Sequence, residues 1–372
     1  MPRKDLHEKP FDEATLTKLD IFERYLEAWL PVFLYAPVPG DVQIWDFFAG
    51  QGYDVQNQKG SPIRIMDVLK RFEGDVLKSG KKIRVVFNEA DTDKYELLKE
   101  AVEKHQKELK TSQHLIRIEI FNTEFQKLYK TQHSELQKGN SIIFLDQNGV
   151  KEVTEKIFLE LVSFTRTDFL FFISSSYFSR FAQDFKKIHP KLDIDEIRAS
   201  KYQKLHLAVL NLYKTYLKNA NQAKAFLFPF SLMKPTTSGY NIYGLIFCAK
   251  HILAADKFLT IAWDQNKLNG QANYDIENDM AASQMNLFTG EKALTKIERF
   301  QRDLEIEILA ERLNTNLKTF IYTLSEGHIS AHAEDVLKKL KDTGKIHYEG
   351  RTGISYNAYK DKRIVEYKTK KK

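Results

Sequence analysis

The sequence predicts an α/β chain: a Rossmann-type parallel sheet with an antiparallel terminal hairpin, followed by a small α+β winged-helix unit. Three observations carry this. A hydrophobic run ends in Asp46 and opens into a glycine turn at Gly50 and Gly52; further hydrophobic runs each end in polar residues; and the last seventy residues pattern as two helices and a glycine turn between alternating stretches. A buried strand that delivers a glycine turn beside a carboxylate is how open α/β sheets hold a nucleotide-like ligand at their carboxyl edge. Any tight turn favours glycine, so the weight rests on the series of strand ends.

Taken in order, Leu19, Phe22, Leu26, Trp29, Leu30 and Phe33 recur at helical spacing, which predicts an amphipathic helix over 15–35, bent at Pro31 and packed on the sheet. Residues 42–47 form the first strand. After the glycine loop, Gly60, Ser61 and Pro62 open a helix with Ser61 as cap, and Ile65, Val68, Leu69 and Phe72 give it one apolar face. Residues 83–87 form a continuous buried strand ending in Asn88 and Glu89; the carboxylate can accept both ribose hydroxyls, or can simply be a solvated strand-end acid. Glu89 lies 43 residues beyond Asp46, about twice the ~20 of a compact dinucleotide fold, because of a polar loop at 53–60 and a connector at 73–82. A helix over 93–109 follows, then strands at 115–121 and 141–145, the first ending in Asn122, Thr123 and Glu124, the second in Asp146, Gln147, Asn148 and Gly149. Residues 168–173 lead into Ser174, Ser175 and Ser176, and strands at 225–233 and 240–250 flank the turn 235–239. Five β/α units closed by an antiparallel hairpin is the order of a class I methyltransferase rather than of a nicotinamide enzyme, and it points to S-adenosylmethionine.

These motifs together, KLDIFERYLEAWLP (18–31), DFFAGQG (46–52), GSPIRIMDVL (60–69) and FLDQNGV (144–150), resemble the three-Cys-motif partner protein family over most of the chain. The resemblance implies a methyltransferase-like domain over 1–265, a connector over 266–300 and a winged helix over 301–372. It implies that Asp46, Phe48, Gly50 and Gly52 contact the cofactor's methionine end, Glu89 the ribose, and Asn122 and Thr123 the adenine, with Asp146 facing the reacting group. It also implies a partner protein with three cysteines, a metal-cluster or radical enzyme. One departure bears on catalysis. Base-modifying aminomethyltransferases follow the acid with Pro-Pro and an aromatic that stacks on a flipped base. Here Gln147 offers an amide acceptor, and no aromatic follows. Two readings therefore stand: methyl transfer to or near nucleic acid, with Asp146 and Gln147 as catalytic residues, or a cofactor-fold scaffold that brings a partner enzyme to nucleic acid without transfer.

The C-terminal unit has its own pattern. Leu317, Phe320, Ile321 and Leu324 form one helical face closed by Gly327; Ser330 caps a second helix with Ala333, Val336, Leu337 and Leu340 inward, closed by Gly344. Stretches 345–349 and 354–357 then alternate around Gly350, Arg351, Thr352 and Gly353 as a wing. Of 57 Lys/Arg and 50 Asp/Glu, twelve and four fall within 336–372, leaving 45 and 46 elsewhere, so the chain's +7 is a near-neutral body with a basic end. Lys338, Lys339, Lys341, Lys345 and Arg351 are the candidate contacts to DNA or RNA phosphates. A solubilising tail, or a winged helix that binds protein, would account for the same charge.

Other classes have less support. Apolar residues make up 42% of the chain, and its longest apolar runs fall far short of a membrane span. The N-terminus has no apolar signal core, and Cys248, the single cysteine, cannot form an internal disulfide, so the sequence predicts a soluble cytoplasmic protein. Lys59, Gly60 and Ser61 stand in the wrong order for a phosphate-loop ATPase. His328 and His332 lie four apart without the Glu or cysteines of a zinc site, and are expected to be surface histidines rather than metal ligands.

Overall fold

The structure, a computed structural model, describes residues 10–109, 111–147, 149–221, 224–237, 239–282 and 293–369. Asn148, Ser238, residues 370–372 and part of the expected connector lie outside the described residues. The chain divides into two compact units, Met1–Lys250 and His251–Lys372. Among the described residues no helix is long and apolar enough to cross a membrane.

The first unit opens with α1 (Glu13–Tyr35), started by Asp12, whose carboxylate accepts from the Thr15 amide at 2.8 Å. The helix runs through Pro31 and lays Leu19, Phe22, Leu26 and Leu30 against the sheet, the Phe22 ring stacking on Phe144 at 4.2 Å. Burying each such side chain is worth about 1.5–3 kcal/mol. Then come β1 (Val42–Asp46), α2 (Ser61–Arg71), α3 (Glu73–Ser79), β2 (Ile83–Asn88), α4 (Thr92–Gln106), β3 (Ile116–Phe121), α5 (Phe125–Lys138), β4 (Asn140–Leu145), α6 (Glu155–Ser163) and β5 (Thr167–Ile173). Short helices α7 (Ser175–Arg180), α8 (Ala182–Ile188) and α9 (Ile194–Ala199) follow, each too short to show a helical period in the sequence. A 3-10 turn (Tyr202–Lys204) leads into α10 (Leu205–Asn219), and β6 (Phe226–Thr236) and β7 (Gly239–Ala249) complete the unit.

The seven strands lie in the order β3-β2-β1-β4-β5-β7-β6. The first five are parallel; β7 inserts antiparallel beside β5, pairing Ile173 with Gly244, and hairpins with β6. β1 pairs with β2 on one side and β4 on the other, Val42 opposite both Ile83 and Asn140. The order reverses at that point, which opens a crevice beyond the carboxyl ends of β1 and β4. All five β1 residues are buried, as a strand covered on both faces requires. Opposite α1, a core of Phe158, Phe169, Phe171, Tyr213 and Tyr216 fills the other face. His189 ties that layer to the loop after β4: its Nε2 donates to the Val150 carbonyl at 3.1 Å, so Nδ1, 2.9 Å from the Tyr216 hydroxyl, accepts.

The second unit holds α11 (Ile252–Gln265), α12 (Asp279–Ala282), α13 (Lys296–Leu309), α14 (Asn316–Ser325), α15 (Ser330–Asp342), β8 (Ile346–His347), α16 (Tyr356–Lys360) and β9 (Lys368–Thr369). α11, which the sequence reading assigned to the first domain, belongs here, packing on α14 and α16. A capping box between Thr295 and Glu298 starts α13, and Thr315 caps α14. Three expectations change. Ser330 is the first helical residue of α15, after Ile329, and makes no capping bond; Ile321 is 41% exposed, and the inner face of α14 is Thr319, Phe320, Thr323 and Leu324; and 354–357 is no wing strand. β8 pairs instead with β9, while Thr315 bridges Glu366, so three short strands frame a wing that runs from 348 to 365 and contains α16. Ser355, capping α16 through the Ala358 amide, diverts the chain into a helix where the sequence alternation suggested a strand.

Candidate functional site

β1 delivers Asp46, 1% exposed, to the crevice. The Phe48 amide donates to its Oδ1 at 3.2 Å, while Oδ2 has no hydrogen-bond partner. Burial pushes its pKa up to about 7; the Ser61 hydroxyl and the Phe48 amide pull against that rise, and the negative charges of Asp146 and Glu89 add to it. Ser61 does not cap α2: the N-cap is Gly60, and Ser61 is the first helical residue, buried beside Asp46. The glycine loop folds tightly beside it. Gly50 and Gly52 have φ of 64° and 91°, the Gly60 amide donates to the Gly52 carbonyl at 2.8 Å, and a Cβ on Gly52 would stand 3.2 Å from that of Ala101. The half-buried Phe48 ring lies 5.2 Å from that of Phe125.

β2 brings Glu89 to the same loop. Its Oε2 accepts from the Gly50 amide at 3.0 Å and its Oε1 from the Asp91 amide at 2.8 Å, so each oxygen is anchored once and keeps a lone pair. At the end of β3, the exposed Asn122 donates to the Glu89 carbonyl at 2.8 Å and accepts from the Thr92 hydroxyl. The half-buried Thr123 contributes its carbonyl to Asn88, whose buried amide also donates to the Phe47 carbonyl, at 3.0 and 3.1 Å. Asn88 thus cross-links the ends of three strands, a role its place before Glu89 did not reveal.

β4 presents Asp146, and here the structure adds a residue the sequence reading missed. Lys18 of α1, its side chain 7% exposed, forms an ion pair with Asp146, 23% exposed, and lies 4.3 Å from the centre of the Phe172 ring. A lysine 128 residues away leaves no local signal. Gln147 departs from the role expected of it: fully buried, its amide nitrogen donates to the Phe172 carbonyl at 3.1 Å and its oxygen accepts from the Glu152 amide at 2.9 Å, so both ends hold the protein's own loop. The N-terminal segment crosses these strand ends. The Phe11 amide donates to buried Asp54 at 2.7 Å, and Asp12 pairs with Lys234 on β6.

In the second unit the five candidate cations differ. Lys339 and Lys345 both pair with Glu305, at 3.2 and 2.7 Å, and Lys341 sits 4.1 Å over the Tyr348 ring. Lys338 on α15 and Arg351 in the wing are exposed, with no carboxylate partner among the described residues. His328 and His332 are not surface groups. Their Nδ1 atoms lie 3.0 Å apart, with His328 stacked on Phe300 at 4.0 Å; burial lowers their pKa values to about 2 and about 4. No group of three or more His, Cys, Asp or Glu among the described residues could hold a metal ion.

No curated protein matches the chain. A family model described as a GMT-like wHTH domain matches residues 275–353, which take in α12 to α15, β8 and the start of the wing. The second unit therefore carries a winged helix, on a mixed α/β protein with a seven-stranded, mostly parallel sheet.

Proposed function

We propose that the first unit is a Rossmann-type class I methyltransferase-like domain that binds S-adenosylmethionine, and that the winged helix sets it against nucleic acid in concert with a three-cysteine partner protein. The strand order β3-β2-β1-β4-β5-β7-β6, which gathers Asp46, Glu89, Asn122 and Asp146 at one edge, carries this reading. The residues fit the ligand. Asp46 has an unpartnered buried oxygen for an ammonium group, the glycine loop leaves no side chain in the way, and Glu89 keeps a lone pair on each oxygen for two hydroxyls. The cofactor, when bound, supplies an electrophilic methyl group on a sulfonium. Asp146 orients the acceptor and takes up its proton once Lys18 has moved aside. Lys338 and Arg351 supply phosphate contacts.

A second reading, the scaffold without transfer, draws on a specific observation: Asp146 is neutralised by Lys18, and Gln147 is committed to the loop it stands in. Titration calorimetry with S-adenosylmethionine on wild type and Glu89→Ala tests the shared cofactor reading; absence of wild-type binding at millimolar ligand refutes it. A radiolabelled methyl-transfer assay over DNA, RNA and protein, run on wild type and Asp146→Ala, separates the two. Equal background counts in both leave the scaffold.

A further inference from the structure

Ile173, the last residue of β5, pairs with Gly244, so β7 residues 239–243 and their β6 partners run past the carboxyl edge as a two-stranded ribbon. α7 docks on that ribbon. The Ser176 hydroxyl accepts from the Ile242 amide at 2.6 Å, and the Arg180 guanidinium donates to the Asn241 side chain at 2.8 Å. This attachment fixes a surface with an unusual composition. Tyr177 and Phe181, one helical turn apart, are 38% and 49% exposed and meet edge to face at 6.1 Å, with the Arg180 guanidinium 5.3 Å over the Tyr177 ring. Beside them Tyr202, 37% exposed, is held by a hydroxyl contact to Ser176 at 2.7 Å and packs on Tyr240 at 5.5 Å, and the neighbouring Lys201 is exposed. Singly exposed aromatics are ordinary; three mounted together, with a guanidinium over one ring and a lysine beside another, make a group that suits a stacking ligand.

The aromatic groups continue toward the crevice. Tyr243 stands two residues along β7 from Asn241, the side chain that Arg180 holds; it stacks on Phe172 at 5.3 Å and 16°, and Phe172 lies under Lys18, the partner of Asp146. We infer that Tyr177, Arg180 and Phe181, with Tyr202 and Lys201, form a platform for single-stranded nucleic acid whose unpaired bases lead along Tyr243 and Phe172 toward Asp146. Partly exposed rings suit stacking with bases, Arg180 and Lys201 suit the phosphates between them, and residues 175–219 carry nine Lys/Arg against four Asp/Glu. A duplex, its bases already stacked, gains nothing from such rings. The inference rests on the methyl-transfer reading only for its destination, and it supplies from α7 and β5 the aromatic surface that the chain lacks directly after Asp146.

The test uses the full chain and fluorescence anisotropy with labelled single strands of about ten nucleotides, in DNA and RNA arms, beside a duplex of the same sequence. The double variant Tyr177→Ala/Phe181→Ala should weaken single-strand binding about tenfold or more and leave duplex binding within about twofold, whereas Tyr177→Phe/Phe181→Tyr retains both. Arg180→Gln should lower the single-strand salt slope by about 0.7. The DNA and RNA arms decide which strand is preferred, since stacking and phosphate contacts are common to both. Failure of wild type to bind either single strand, indifference to the alanine pair, or equal loss in the aromatic swap overturns the platform; indifference would make this surface one for a protein. Calorimetry with S-adenosylmethionine on the same variants keeps the two questions apart: cofactor binding without platform dependence sinks the platform alone, and platform dependence without cofactor binding sinks the cofactor reading alone.

Discussion

Asp46→Asn separates the charge of the crevice from its shape. The folded Asp46 carboxyl has a pKa near 7 against 3.8 in the ordinary chain, chiefly through burial. Below about pH 4 folded and unfolded chains both hold the proton, and the stability contributed by the neutral acid is fully present. Between pH 4 and 7 the unfolded chain gives up the proton while the fold retains it. Stability then falls by about 1.4 kcal/mol per pH unit, to a total loss of about 4 kcal/mol above pH 7. Asparagine does not titrate. The difference in unfolding free energy, variant minus wild type, should therefore grow in the variant's favour by about 2.5 kcal/mol from pH 5 to pH 8. Any fixed cost of an unpartnered amide in the same site cancels between the two pH values, as does Asp168, whose pKa burial also raises to about 7. Urea unfolding followed by tryptophan fluorescence suits the measurement, because Trp29 and Trp45 report the first unit and only Trp263 the second. A difference that stays constant between pH 5 and 8 refutes a buried, proton-retaining Asp46.

The same proton governs ligand binding: a cationic amine needs ionised Asp46, so, allowing for the amine's own titration near pH 8, S-adenosylmethionine should bind about fivefold more weakly at pH 6 than at pH 8, with no such weakening at low pH in Asp46→Asn, as calorimetry would show. Glu89→Ala should weaken that ligand by about 1.5–3 kcal/mol, since it also frees the Gly50 and Asp91 amides that shape the loop; an unchanged dissociation constant argues against Glu89 as ribose ligand. For Lys18 and Asp146, a double-mutant cycle of Lys18→Met and Asp146→Asn in thermal melts should give a coupling of about 1–3 kcal/mol, short of a fully buried pair because Asp146 is partly exposed, and additivity would mean that the pair is not closed in solution. Neutralising Lys338 and Arg351 should lower the salt slope of duplex binding by about two units, while Lys339 and Lys345, already shared with Glu305, should each matter less.

The strand ends were legible because a strand packed on both faces is mostly apolar and gives way to polar residues where it leaves the core, so Asp46, Glu89, Asn122 and Asp146 mark the edge from sequence alone even though Gln43, Arg84 and Glu119 lie within strands. What partners those residues was not. Lys18 reads as one more polar position on an amphipathic helix, and only the packing of α1 across β4 brings it to Asp146. Gln147 looked available because an amide beside a catalytic acid suggests an acceptor, yet buried amides are first claimed by nearby backbone groups, here Glu152 and Phe172. Ser61 and Ser330 were misjudged for one reason: a serine at a helix start looks like a cap, and each stands one residue inside. In the wing, Gly350 and Gly353 signal a turn correctly, but the strand that answers β8 comes twenty residues later, beyond a helix whose five residues give no periodicity to detect. Helices α7 to α9, of six or seven residues each, escape for the same reason.

The position of β7 between β5 and β6 governs how the chain can emerge from a ribosome. The side chains against which α1 shelters its apolar stripe, among them Phe144, Asp168 and Phe247, are translated long after it, and the sheet cannot close until residue 249 has appeared. At 5–20 residues per second, Phe144 follows α1 by roughly 5–20 s and Phe247 by roughly 10–40 s, so the apolar stripe of α1 is covered only in stages. A nascent chain in that state holds apolar surface open to other chains, and slowing translation between 145 and 240 should raise its aggregation while leaving the finished protein unchanged.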